Sequence, residues 1–258
     1  MGLEIGRYTY ASLVDEGMNR KKHSNCRVEY SITNTPDFAQ TKSLEEAHDF
    51  AINGWDLGLK EFKVEDGVLE SGATEMQPSL AGVIPHIQNH IMGFPEEMYQ
   101  LYDMREYNLP TLDIVVNLAY LGWVDGSDAL RFSKCLVGYI NAMASTRNIR
   151  LTGVFATTQS GSREVYDFVT LKDLDSTLVI NNVAFAFHPS FFRRFWFGVV
   201  EGREYWNSGY GGTIDNYVKI AKKELAGGES DETLFFKSLS SNGGVYDWDI
   251  EDIPRITF

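Results

Sequence analysis

Residues 112–119, Leu-Asp-Ile-Val-Val-Asn-Leu-Ala, constrain this chain more than any other stretch. A β-branched apolar run of this length fits a strand buried on both faces of a sheet. The loop Gly122-Trp123-Val124-Asp125-Gly126 follows it, and Ser127 then has the character of a helix N-cap. In that helix Phe132, Cys135, Leu136, Tyr139, Ile140 and Met143 mark the packing side, with Leu130, Lys134, Val137 and Asn141 on another. Arg150 to Ala156 reads as the next strand. Strand, crossover helix and strand form a unit whose two strands run parallel. That unit places the chain in the α/β class, with a central, mostly parallel sheet flanked by helices.

Elsewhere the pattern is more local. Ser43 and Glu46 have the spacing of a capping box, Leu44, Ala47 and Ala51 form an apolar face, and Gly54 supplies the stop. Arg27 to Ile32 reads as a strand, Asp56 to Phe62 as a short helix, and the acidic, Gly-rich residues 65–82 as a loop. A helix is expected after Pro95, through Glu96 to Leu101. Glu164 to Val169 reads as a strand and Trp196 to Glu201 as another, with a helix starting at Pro189-Ser190 between them. Val183 to His188 fits a strand or a buried helix equally well. A last helix is expected over Asp215 to Leu225. The resulting organisation is an α/β core over residues 111–242, an N-terminal α+β extension over residues 1–110 packed on it, and an acidic tail over residues 243–258.

The middle of the chain, residues 111–200, resembles a von Willebrand factor A-like domain in its order of strand, loop, long helix and strand. In that family an Asp-x-Ser-x-Ser motif after the first strand holds a divalent metal. The matching positions here are Asn117, Ala119 and Leu121, which offer neither an ionised carboxylate nor a hydroxyl. No metal is therefore expected at that site. Ser43-Leu-Glu-Glu-Ala, followed by Asn53-Gly54-Trp55, is similar to stretches of bacteriophage proteins.

The chain end carries Asp247, Trp248, Asp249, Glu251, Asp252 and Phe258 against a single Arg255. It resembles the acidic tail of bacterial and phage single-stranded-DNA-binding proteins, which ends in Asp-Ile-Pro-Phe or a similar aromatic. Asp252-Ile253-Pro254 matches, while Arg255, Ile256 and Thr257 intervene before Phe258. The resemblance implies a mobile tail that docks polymerase or other replication proteins. The residues also fit a closing strand from Arg255 to Phe258.

Aromatic and basic residues are densest in Phe191-Phe-Arg-Arg-Phe-Trp-Phe197, continued by Arg203, Tyr205, Trp206 and Tyr210. Rings that stack on bases, beside Arg193 and Arg194 that neutralise phosphate, suit a single strand. Trp196 and the phenylalanines also fit a core, whereas Arg203 to Tyr210 reads as a loop presenting rings. Lys219, Lys222 and Lys223 make a basic helical face. Against this, the formal net charge of −13 opposes nucleic-acid binding by the surface as a whole.

Catalytic signatures are sparse. His86 and His90 stand four apart without a third ligand, and two half-buried histidines explain them as well. No nucleophile elbow, Walker A loop or Gly-x-Gly-x-x-Gly motif occurs. Two cysteines, Cys26 and Cys135, lie far apart, and no run approaches the length of a membrane helix. Together these features predict a cytoplasmic protein, in the host if phage-encoded, without enzymatic activity or cofactor. The leading expectation is sequence-tolerant binding of single-stranded DNA in viral replication or transcription, compatible with a homo-oligomer. The alternative is a metal-free protein-interaction adaptor, and a further one is a metal enzyme built on His86 and His90.

Overall fold

The computed structural model describes residues 2–21, 23–24, 26–27, 29–55, 74–79, 84–85, 98–103, 109–144, 146–159, 163–204, 206, 217–225, 232–236, 241–242 and 245–246. Its centre is a five-stranded, mostly parallel sheet flanked by helices. The strands are β1 (Leu3–Thr9), β5 (Thr111–Asn117), β6 (Asn148–Gln159), β7 (Arg163–Lys172) and β8 (Glu232–Phe236), in the spatial order β1-β7-β6-β5-β8. β5 lies parallel to β6 and to β8, and β1 lies parallel to β7. The remaining pair, β6 with β7, is antiparallel and makes a hairpin. Helix α5 (Gly126–Ala144) is the crossover between β5 and β6, as the sequence pattern requires.

Residues assigned to an N-terminal extension contribute to the sheet itself, because β1 is its edge strand. Thr9 ends that strand and caps α1 (Tyr10–Asn19). Its hydroxyl accepts from the Ser12 amide at 3.1 Å while the Ser12 hydroxyl accepts from the Thr9 amide at 2.9 Å. α4 (Leu44–Asn53) starts on Ser43, whose hydroxyl accepts from the Glu46 amide at 3.2 Å. The Glu46 carboxylate accepts from Lys42 rather than from Ser43, so the reciprocal bond closes one residue early. Gly54 ends the helix at φ +94°, a conformation that favours glycine.

One face of the sheet is covered by α1, α4, α5, α6 (Ile180–Ala186) and a continuous π-to-α helix, Phe191–Trp196 followed by α7 (Phe197–Glu201). Aromatic pairs 191–192 and 195–196 recur four apart, which suits the wide turn of a π-helix. Phe191, Phe192 and Trp196 all pack on Phe155 of β6, with ring centroids 5.4–6.0 Å apart. The strand expected from Trp196 to Glu201 is therefore helical, and the open alternative at Val183 to His188 resolves as helix over its first four residues. α1 and α7 touch backbone to backbone. A Cβ on Gly17 would lie 2.7 Å from the Phe195 carbonyl oxygen, and one on Gly198 2.7 Å from that of Gly17. On the opposite face α8 (Tyr217–Glu224) lays Tyr217 and Ala221 over Val115, Val154, Ala156, Tyr166 and Phe168.

Further differences from the sequence reading have a common cause, the override of local preference by pairing partners. Of the strand expected from Arg27 to Ile32, the last three residues are helical instead; Tyr30–Thr33 forms the short helix α2, and the Ser31 amide donates to Glu201 at 2.9 Å. Helix α3 (Pro36–Ala39) follows, capped by Thr35. Within the expected loop, Thr74–Ser79 is strand β2. It pairs antiparallel with β4 (Met98–Asp103), whose first residues were expected to be helical, and β3 (Ile84–Pro85) lies on the other side of β4. β9 (Ser241–Asn242) and β10 (Val245–Tyr246) form a small hairpin. The helix expected over Asp56 to Phe62 lies outside the described residues. No helix among the described residues is long and apolar enough to cross a membrane.

Candidate interaction site

The π-helix turns its aromatic pairs to the sheet and its arginine pair away from it, yet both arginines are fully buried. Arg193 donates to the Phe38 carbonyl at 2.5 Å and the Val124 carbonyl at 2.6 Å, with the Leu121 carbonyl at 3.5 Å. Its guanidinium lies 3.6 Å from the Phe38 ring centroid and 4.5 Å from that of Tyr120. Arg194 donates to the carbonyls of Thr41 (2.7 Å), Ser31 (3.0 Å) and Asn34 (3.1 Å), and to the Thr41 hydroxyl (2.7 Å). Burial pushes the pKa of both groups down. Each fork nevertheless finds several acceptors, which is how a guanidinium can be accommodated in an interior.

This corrects the expected surface patch. Arg193, Arg194 and Trp196 are core residues, and so is Trp206, at 1% exposure, although its polar neighbours suggested a loop. Trp196 Nε1 donates to Asp167 at 2.7 Å. Arg203 donates to both Asp167 oxygens at 2.7 Å and to the Tyr8 hydroxyl at 3.1 Å, and pairs with Glu4 at 3.3 Å. Arg193, Arg194, Trp196 and Trp206 are therefore committed to the interior and are not available to stack on bases or neutralise phosphate. Tyr205, Tyr210 and the tail residues 247–258 lie outside the described residues, as do His86 and His90. Lys219, Lys222 and Lys223 of α8 are exposed, with the Lys222 ammonium 5.5 Å from the Phe235 ring centroid.

At the end of β5 the Asn117 carboxamide oxygen accepts from the Ala119 amide at 3.1 Å and the Ala156 amide at 3.4 Å. Asn117 is thus committed to holding the loop start. A small cavity beside it is lined by Tyr120, Phe132, Ser133 and His188, among others. The Ser133 hydroxyl reaches the Ala129 and Phe187 carbonyls at 2.7 and 2.5 Å. His188 is buried between Trp55, Phe50 and Phe185, and its Nδ1 accepts from the Ser190 amide at 3.1 Å. Desolvation, helped by the Arg194 charge, lowers its pKa to about 3, so it is neutral at physiological pH. Among the described residues no three His, Cys, Asp or Glu side chains come together as a metal site.

Beyond Asn117 the chain makes a tight crest before α5. Val124 is buried, its amide donates to the Leu121 carbonyl at 3.1 Å, and Arg193 grips its carbonyl from below. Asp125 accepts from the Ser127 amide and hydroxyl at 2.8 and 2.7 Å, so it is the cap expected of Ser127. Those bonds hold its carboxyl below the usual range. Trp123 stands between these anchors at 70% exposure. A Trp this exposed on a loop pinned at both ends is presented by the fold rather than left over from it.

A family model for DUF7192, a domain of unknown function, matches residues 8–254. The chain belongs to the DUF7192 family. No curated protein and no solved structure matches it. The DUF7192 match takes in the crest, the π-helix and α8. Trp123 was not singled out as a site in the sequence. Its signal was modest: a tryptophan between two glycines, in the short connection from a buried strand to a helix.

Proposed function

We propose that this DUF7192 chain is a non-enzymatic, metal-free, von Willebrand A-like adaptor that docks a partner protein through Trp123. The observation that carries the reading is the exposure of this indole on a loop locked from inside by Arg193. Exposed tryptophans on rigid supports are the residue type that most often anchors protein interfaces, because little side-chain entropy is lost on binding. The commitment of Asn117 to backbone amides supports the metal-free half of the reading. A cytoplasmic setting belongs to it as well.

The test places a photo-crosslinking benzoylphenylalanine at Gly122, where a side chain meets nothing within 4 Å. Irradiation in cells that naturally make the protein is expected to yield one discrete protein adduct, lost when Trp123→Ala is added. The same probe at exposed Val179 serves as the control. No adduct, or one indifferent to Trp123→Ala, would overturn the adaptor reading.

A second reading keeps single-stranded DNA as the ligand, now along Lys219, Lys222 and Lys223, whose exposure favours it. Anisotropy of a labelled oligonucleotide at low salt tests it; no binding at micromolar protein would reject it. Docking of replication proteins by the tail, through Asp247, Trp248, Asp249, Glu251, Asp252 and Phe258, rests on the sequence resemblance alone.

A further inference from the structure

We infer that the segment received at Trp123 is cationic and places an arginine guanidinium on the exposed indole face. The inference rests on the adaptor reading and specifies its partner. A protruding indole offers a flat, electron-rich surface, and guanidinium is the side chain that stacks on it while still donating sideways. The donors it would bring meet carboxylates around the crest. Asp125 is exposed two residues further on, and the bonds from Ser127 favour its ionised form. Asp128 follows in the first turn of α5. Asp37 of α3 is exposed too, and its backbone carbonyl would lie 2.5 Å from a Cβ on Gly126, so the two segments meet at the crest.

Nearby guanidiniums offset part of this. Arg131 is 3.8 Å from Asp128 and projects from the next turn. Arg193 is interior, its two terminal nitrogens donating to carbonyls while its charge is felt by Asp125 from below. The start of α5 would by itself favour an anion. That tendency is already met by Asp125 as cap and Asp128 in the first turn, so a phosphate would encounter carboxylates there. The net charge of −13 adds a general attraction for a basic partner and speeds its encounter.

The experiment titrates labelled decapeptides of alternating arginine and glycine, lysine and glycine, and glutamate and glycine onto the full chain, read by anisotropy. The arginine peptide is expected to bind best. Its affinity should fall about tenfold in Trp123→Ala and in the pair Asp125→Asn/Asp128→Asn. Asparagine still caps α5 at position 125, so the pair should fold normally. Asp175→Asn/Glu204→Gln, a pair of exposed acids elsewhere, should leave binding unchanged. Equal losses in both pairs, no effect of Trp123→Ala, preference for the glutamate peptide, or no binding of the arginine peptide would each overturn the inference. A Trp123-dependent crosslink at position 122 alongside any of those results would leave the adaptor standing and remove only the cationic partner. Absence of the crosslink removes both.

Discussion

The two faces of the central sheet handle positive charge in opposite ways. Over one face the π-helix buries Arg193 and Arg194 completely, among phenylalanines and backbone carbonyls. Over the other, α8 buries Tyr217 and Ala221 and leaves Lys219, Lys222 and Lys223 in solvent. The difference lies in the head groups and in the acceptors available. A guanidinium presents five donors in a plane and can satisfy a cluster of loop carbonyls, whereas an ammonium is strongly hydrated and stays out. Aromatic and basic density in a sequence therefore does not by itself distinguish a ligand surface from a core. What decides is whether other segments bring carbonyls to the cations.

The largest effects should come from the crowded face. Trp196→Ala and Trp206→Ala should each cost about 3–5 kcal/mol in a urea melt, as expected for large buried rings. Equal stability of Trp206→Ala and the parent would restore Trp206 to the surface and break the contrast. Arg194→Met should cost about 3 kcal/mol, because the carbonyls of Ser31, Asn34 and Thr41 lose their donor inside the protein. A neutral result would show that water replaces the guanidinium there.

How much of this was legible in the sequence depends on how local the cause is. β5, α5 and β6 could be read because a β-branched run and an apolar helical stripe are properties of contiguous residues. α4 could be read because Ser43 and Gly54 act within one turn of its ends. The entry of β1 into the sheet depends on contacts more than a hundred residues apart. The fate of Arg194 was hidden for the same reason, since its acceptors lie over 150 residues earlier in the chain. The site followed the same rule. The place of Asn117 at the end of β5 was readable from the strand itself, while the rigidity of the Trp123 crest depends on Arg193, 70 residues onward, and was not.

A pH dependence sharpens the comparison further. His188 has its pKa lowered from the ordinary 6.5 to about 3 in the folded state. The unfolded chain therefore takes up the proton first, and stability that is full above pH 6.5 is lost as pH falls toward 3. Between pH 7.5 and pH 5 this one group should remove about 2 kcal/mol. Urea melts at the two pH values should show that slope reduced in His188→Asn, where the carboxamide oxygen can take over the bond from the Ser190 amide. An unchanged slope would mean that other groups on this face carry the acid sensitivity.

On the α8 face the expected effects are smaller. Tyr217 donates to the Phe236 carbonyl at 2.6 Å, and burial raises its pKa. Tyr217→Phe keeps the packing on Val115 and Phe168 and removes that bond. A loss of about 1 kcal/mol is expected, measured by thermal melting. A loss as large as that of Trp196→Ala would show that one hydroxyl organises the whole of this face.

The smallest effect on stability should come from Lys219→Gln/Lys222→Gln/Lys223→Gln. These side chains are exposed, and glutamine keeps the helix propensity and much of the aliphatic stem. Stability should stay within about 0.5 kcal/mol of the parent. The triple variant therefore isolates function from folding, which no substitution at Arg193 or Arg194 can do. If α8 tracks a nucleic-acid backbone, the variant should lose oligonucleotide affinity and show a shallower dependence on salt, because fewer counterions are released. If the crest at Trp123 is the working surface, the triple variant should crosslink its partner at position 122 as the parent does. Parent-like oligonucleotide binding by the triple variant would remove α8 from the DNA reading.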